Sequence, residues 1–416
     1  MAPWLKLGAT AVAAVAVAEG AAWLLSPTDV VNPVAVDPSD YFSSERVDEA
    51  VDYRSGQRLL LAGGLAAQGA LLVALVVGRP RRVKDLLERA GERPVLGGAA
   101  AAAGLVTALA VVTLPTDIAS HERAVDVGLS TQDLPAWLGD WSKSNAISAL
   151  LAGAIGTGAL ALIRRAPRNW WIPGSAAVVA IGVLFSWLAP VVLAPLFNDF
   201  EPLEAGVARS DELELGERAG VEIGEVYTVD ASRRSTAINA YVGGLGPTKR
   251  VVLYDNLLDE LDRGERRSVV AHELAHVEER DIPRGILFIA IAAPLAVLFI
   301  ARSSEALARR GGAEPGSPAS LPALAIALSV TSFAIGVAGN QLSRAVERKA
   351  DTVALELTDD PRSLVELQQR LSETNLSDPD PPGAVTFLLG THPTTVERIG
   401  AALAWERDHP PGNGAP

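Results

Sequence analysis

Residues 285–301, GILFIAIAAPLAVLFIA, run without a single charged or hydrogen-bonding side chain. A helix crossing the hydrocarbon core of a bilayer needs roughly 20 apolar residues. Six further long, predominantly apolar blocks lie at 7–25, 59–78, 95–114, 145–163, 172–197 and 321–339. Six of the seven blocks carry no charge, and the first contains only Glu19. Buried helices of a large soluble protein are the alternative. Seven blocks, each flanked by charged residues, argue instead for a polytopic helical membrane protein, mainly α. The block at 7–25 reads as a first span rather than a secretory signal, which a multi-span chain does not need. Glu19, near the end of that span, either lines a water-filled cavity or snorkels to the interface.

Composition agrees. The 416 residues would make about three soluble domains by length, yet 49% are hydrophobic, 20% are charged and the mean hydropathy is +0.24. A net charge of −13 argues against nucleic acid, whose phosphates call for clustered Lys and Arg. The absence of cysteine excludes disulfides, thiolate nucleophiles and Cys-type metal sites. Arginine outnumbers lysine 31 to 5, which suggests a GC-rich, bacterial genome. The segments 79–94, 164–168 and 302–320 hold twelve Lys/Arg against five Asp/Glu, and 27–58 with 115–144 hold five against twelve. The positive-inside rule makes the first set cytoplasmic and places 198–284 and 343–416 on the far side.

The chain divides on this reading into 1–197 (five spans), 198–284 (a polar domain), 285–342 (spans six and seven), 343–408 (C-terminal helices) and a disordered tail at 409–416. Within the polar domain, 204–220 reads as an acidic helix and 225–230, 236–242 and 251–254 as short strands. The turn between the last two is marked by Gly243-Gly244-Leu245-Gly246-Pro247. Helices are expected at 264–281, 343–357 and 361–374, with a linker at 377–382 and a final helix after His392.

Two of only five histidines fall in His272-Glu273-Leu274-Ala275-His276, on the helix expected at 264–281. Residues i and i+4 share one helical face, so both imidazoles can reach one cation, and Glu273 stands where it can take a proton from the attacking water and pass it to a leaving amine. The apolar neighbours Val269, Val270, Leu274, Ala275 and Val277 bury such a helix. A catalytic zinc site wants a third protein ligand. A histidine six residues beyond His276 would supply one, but that position is Ile282, and Glu279 lies a turn too far along. Glu347, in Glu347-Arg348-Lys349-Ala350-Asp351, is the best candidate, although spacing alone leaves it between a ligand and a solvated helix charge. His121 reads as a loop histidine and His409 as the edge of the tail.

His272–His276 and Glu347–Asp351, separated by two hydrophobic spans, resemble the integral-membrane zinc endopeptidases of the type I CAAX prenyl protease family, related to the HtpX-like proteases. Asn239-Ala240-Tyr241 with Gly243-Gly244, Val251–Asp255 and His392-Pro393 with Arg398 match further motifs. In the membrane region Gly128-Leu129-Ser130, Trp137 with Lys143, and Ala194–Asn198 do so too. The likeness implies that His272, His276 and Glu347 bind one zinc ion and that Glu273 is the general base. Asp351 would orient a ligand or donate a proton, His392 and Arg398 would support the substrate carbonyl or oxyanion, and the strand at Asn239 would hold an extended substrate. Plainer readings exist for the last three: a polar turn residue, a helix cap and a surface charge.

The expected fold is therefore a polytopic helical membrane protein of about seven spans. A small α/β zincin-like domain lies between spans five and six and is completed by C-terminal helices. The expected activity is a membrane-embedded zinc endopeptidase acting on membrane-proximal or lipidated polypeptides, with the lipid bilayer as its other partner. An HtpX-like quality-control protease and an inactive scaffold are the alternatives, and intact Glu273 argues against the scaffold. A bacterial source would argue against a prenylated substrate. The location is a multi-pass protein of the cell membrane. Loop charges favour an extracytoplasmic site and the likeness a cytoplasmic one.

Overall fold

The computed structural model describes residues 3–78, 80–223, 225–243 and 250–410. The turn at Gly244–Pro247 and residues 411–416 of the expected tail lie outside them. The membrane body opens with α1 (Pro3–Leu25), α2 (Ser44–Val77), the short amphipathic α3 (Arg81–Glu92), α4 (Pro94–Asp126), α5 (Leu134–Arg165) and α6 (Trp171–Leu188). The polar domain follows with β1 (Phe200–Pro202), α7 (Val207–Arg218), β2 (Glu225–Val229), β3 (Ala240–Gly243), β4 (Arg250–Tyr254), α8 (Asp255–Glu260) and α9 (Arg263–Glu278). The chain then continues through α10 (Asp281–Arg310), α11 (Leu321–Thr358), α12 (Pro361–Thr374), α13 (Gly383–Leu389) and α14 (Thr395–Asp408).

Among the described residues, seven helices are long and apolar enough to cross a membrane, as the seven sequence blocks anticipate. Their outward faces show what surrounds them. Leu59, Leu65, Leu150, Val330 and Phe333 are each more than half exposed, an arrangement that suits lipid and not water. Between the helices the contacts use small residues, because apolar side chains gain little by leaving lipid tails for one another. Ala18, Ala21 and Ala22 of α1 pack on Phe288 and Ala292 of α10 and on Ala338 of α11. Along α4 and α5 the backbones approach so closely that a Cβ on Gly156 would stand 2.6 Å from that of Ala102.

The sheet runs β1-β2-β4-β3, with β2 and β4 parallel and the outer pairs antiparallel. Central β4 buries Val251, Val252 and Leu253, while β3 closes one edge. One hydrophobic core joins this sheet to the metal-motif helix and the end of the chain. Leu215, Leu253, Leu274, Val353, Leu364 and Ala402 all belong to it.

Several boundaries differ from the sequence expectation, each for a physical reason. The helix expected at 343–357 is the continuation of the seventh span. Nothing between Gly339 and Ser343 breaks it, so α11 runs 38 residues, about 57 Å against a hydrocarbon core of about 30 Å. Its surplus length leaves the membrane and enters the protease core. Similarly, α4 passes through Pro115 and the charged residues after it. The strand expected from 236 begins only at Ala240, because residues before it are held elsewhere: Thr236 donates its N–H to Leu129 O, and Asn375 accepts from Ile238 N. The metal-motif helix closes at Glu278, and Pro283 sits in the first turn of α10, where a missing N–H costs nothing. Glu19 lines a cavity of about 710 Å³ with Arg344 and Arg348, and Gln341 Nε2 donates to both of its oxygens at 2.8 and 3.0 Å.

Candidate metal centre and active site

Helix α9 starts at a capping box, in which Asp262 accepts from Glu265 N and the Glu265 side chain accepts from Asp262 N. The same Glu265, nearly fully buried, accepts from Arg370 Nε of α12 at 2.8 Å. The helix is thereby fixed at its origin and presents His272 and His276 on one face. Their Nε2 atoms lie 3.3 Å apart. Glu347, reaching in from α11, places Oε2 3.1 Å from His272 Nε2 and Oε1 3.8 Å from His276 Nε2.

These separations fit zinc. Four-coordinate zinc with bonds of about 2.0–2.1 Å keeps its ligand atoms roughly 3.3 Å apart. The buried Glu347 Oε2 also has no hydrogen bond of acceptable geometry among the described residues, an orphaned anion such as a cation would satisfy. Two imidazoles and a carboxylate without sulfur form a donor set that suits zinc.

Each histidine is oriented from behind by a carboxylate. Asp351 Oδ1 lies 2.9 Å from His272 Nδ1, and Asp281 Oδ2 lies 2.9 Å from His276 Nδ1. Such partners keep the proton on Nδ1 and leave Nε2 free to ligate. The carboxylates also draw positive charge to the site. Burial opposes an imidazolium at His272, but the hydrogen bond to Asp351 and the adjacent Glu347 carboxylate outweigh it, and the pKa is pushed up to about 10. Burial likewise raises the Glu273 carboxyl above its ordinary range, against the pull of His272 and His276. The Val242 N–H donates to Glu273 Oε2 at 3.2 Å, which links the edge strand to this side chain.

Arg398 of α14 holds Asp351 with two bonds, Nε to Oδ2 at 2.8 Å and Nη2 to Oδ1 at 2.5 Å. His392, in the loop before α14, puts Nε2 3.4 Å from Glu347 Oε1 and meets Thr391 Oγ1 through Nδ1 at 2.9 Å. Asn239 stands just before β3, where its Oδ1 accepts from Ala240 N and its carbonyl accepts from Tyr254 N. The structure thus gathers His272, Glu273, His276, Glu347, Asp351, His392 and Arg398 around one point, with Asn239 immediately before the start of the adjoining strand.

Asp281 belongs to none of the motifs in the sequence, and only the backbone brings it in: Arg280 adopts a left-handed φ of 58°, which turns the chain and returns the carboxylate to the helix end. His121, expected in a loop, is buried within α4 and stacks on Trp137 at 5.0 Å. His409 stacks on Trp405 at the end of α14 and is no part of the centre. The membrane-region motifs have a positioning role. Gly128, at φ 76°, turns the chain after α4 so that Leu129 O accepts from Thr236 N and Arg234 O from Thr131 N. Asn198 Oδ1 and Asp140 Oδ2 then accept from Arg234, at 2.7 and 2.8 Å.

A helical body of seven candidate spans that carries an H-E-x-x-H helix and a carboxylate from a distant span defines a membrane metalloprotease. The model of peptidase family M48 matches residues 208–406, and that of the CAAX prenyl protease N-terminal region, five membrane helices, matches 32–199. "Uncharacterized metalloprotease YhfN" of Bacillus subtilis (strain 168) is 31% identical over 381 residues, covering 89% of this chain and 88% of its own. "CAAX prenyl protease 1" of Saccharomyces cerevisiae is 32% identical over 182 residues, which is 43% of this chain and 40% of its own. The crystal structure of S. mikatae Ste24p shares the fold, with a TM-score of 0.78 at 21% identity over 97% of this chain and 99% of that one. The chain belongs to peptidase family M48 and is a multi-span membrane zinc metalloprotease.

Proposed function

We infer that the protein hydrolyses peptide bonds of membrane-proximal or lipidated polypeptides, using one zinc ion held by His272, His276 and Glu347. The observation that carries this is the convergence of those three ligand atoms, all within 4.8 Å of one another, beside the edge strand β3. When bound, zinc supplies Lewis acidity, which polarises a carbonyl and makes water a usable nucleophile at neutral pH.

The protein's own residues do the rest. An extended substrate pairs along β3 next to Asn239, as peptides do at open sheet edges. Glu273, steadied by the Val242 N–H, takes the proton of the water that attacks the scissile carbonyl carbon. It returns that proton to the amine nitrogen as the C–N bond breaks. His392, beside Glu347, stands where it can donate to the developing oxyanion. Asp351 holds the ring of His272 in place, and Arg398 keeps Asp351 ionised and fixed.

The site faces the extracytoplasmic side of the cell membrane. The basic segments cluster at one end of the body, where α3 meets residues 318–320 and a shared cavity joins Pro167 to Arg309. At the other end the acidic segment after α1 meets the metal-site helices, with Val31 N donating to Thr352 Oγ1 and Val34 N to Gly400 O. The positive-inside rule then puts the basic end in the cytoplasm. Metal analysis of the purified protein beside a cleavage assay, with lipidated and unlipidated forms of one peptide, tests the function. One zinc per chain and chelator-reversible cleavage favouring the lipidated form are expected. Turnover unaffected by chelator would overturn it.

A further inference from the structure

Two cavities lie between the membrane helices and the C-terminal helices. One, of about 620 Å³, extends from His392 and Arg398 at the metal centre to Arg54 and Arg58 of α2. The other, of about 770 Å³, lies between α2, α4 and α5 and reaches His121. They meet along Arg54, Gln57, Asn375 and Ser377, which wall both.

The cations of the first cavity differ in their partners. Arg398 is neutralised by Asp351, and Arg58 Nη2 by Asp378 Oδ2 at 3.1 Å. Arg54 has no carboxylate within ion-pair distance among the described residues. Its Nε donates to Leu376 O at 2.8 Å and its Nη2 to Asn375 O at 2.6 Å and, more weakly, to Ser377 Oγ at 3.5 Å, all neutral acceptors. A guanidinium that makes no close ion pair, with Asp378 acting on it only from a distance and two cavities before it, is matched in geometry by a carboxylate. The place is apt for substrate. Asn375, whose carbonyl Arg54 binds, clasps the main chain of Ile238 through both side-chain atoms, at 3.1 and 3.3 Å, and Ile238 leads into β3. A polypeptide paired on β3 therefore passes one loop away from Arg54.

We propose that Arg54 forms a subsite for a substrate carboxylate, supplied by the polypeptide's C-terminus or by an acidic side chain. This rests on the peptidase reading above. Neutralisation of Arg54 by such a group is a charge-assisted contact made equally in the ground and transition states, so it acts on KM and leaves kcat largely unchanged.

The test uses the full-length zinc-loaded protein and one internally quenched peptide in three forms: free C-terminal carboxylate, C-terminal amide, and amide with glutamate as the last residue. For the wild type, KM for the free acid is expected about 10- to 100-fold below that for the amide, the range of a charged hydrogen bond. Arg54→Gln should remove this preference by raising KM for whichever carboxylate-bearing peptides the wild type favours and not for the plain amide, and Arg54→Lys should retain part of it. Recovery with the glutamate amide assigns the carboxylate to a side chain; no recovery assigns it to the C-terminus. A role confined to fixing the 375–377 loop would lower cleavage of all three peptides equally in Arg54→Gln, and that result overturns the proposal. So does a wild type that does not distinguish the acid and the glutamate amide from the plain amide. Binding of the same peptides, fluorescently labelled, to Glu273→Gln protein gives the preference without turnover. Absent cleavage of every peptide would therefore count against the peptidase reading and leave the subsite measurable.

Discussion

Asp281 Oδ2 sits 2.9 Å from His276 Nδ1, on a residue that lies beyond the metal-motif helix and across a left-handed turn at Arg280. The carboxylate is itself paired with Arg284. It fixes the tautomer and tilt of the imidazole, as Asp351 does for His272. Asp281→Asn keeps the shape and loses the charge. Zinc affinity is expected to fall about 10- to 100-fold, read by competition with a chromophoric chelator. An unchanged affinity would show that the aspartate is only a surface ion pair.

Glu273→Gln leaves the three ligands intact and removes the proton acceptor. Cleavage should slow by about 10²- to 10⁴-fold while the zinc content stays that of the wild type. Loss of both together would mean that the side chain holds the site's structure and not its chemistry.

Asp351 and Arg398 are a buried pair, with side-chain exposures of 2% and 13%. Removing one partner strands the other. Asp351→Ala is expected to cost about 3–5 kcal/mol, and Asp351→Ala with Arg398→Met less than the sum of the single changes. Thermal unfolding of the detergent-solubilised variants measures both. Strict additivity would rule out the coupling.

Glu212 of α7 is buried, and its Oε2 has no hydrogen bond among the described residues. Burial dominates over the charges of Arg209 and Arg266, and the carboxyl is pushed up to about 8 from 4.5. Between those values the folded protein keeps a proton that the unfolded chain releases, so stability falls as pH rises through the window and levels off above it. Glu212→Gln mimics the protonated form. It should raise stability at pH 8.5 by about 1–3 kcal/mol and change it little at pH 4.5, as chemical unfolding at the two pH values will report.

A reporter active only outside the cytoplasm, fused at the C-terminal end of this chain, should be active, and the same reporter inserted within 79–94 should be silent. The reverse pattern would place the metal centre in the cytoplasm.

The sequence by itself determined whatever depends on neighbours along the chain. Apolar blocks of bilayer length specify seven spans, because a helix in lipid satisfies its own backbone and needs only apolar side chains. The four-residue step from His272 to His276 specifies a shared helical face. Strands such as 250–254 announce themselves by β-branched residues between turn signals. The third ligand position was legible only as a choice. Glu347 is 71 residues beyond His276 (347 − 276), and spacing does not say that two helices converge. That was decided by tertiary packing: α11 is long enough to leave the membrane and bury Val353, Ala354 and Leu355 in the core that holds α9, which carries Glu347 to the imidazoles. Asp281, Arg398 and Arg54 belong to the same class. Each is an ordinary charged residue by its neighbours, and each takes its place because folding fixes a backbone turn, a helix packing or a loop contact whose partners lie outside its local sequence.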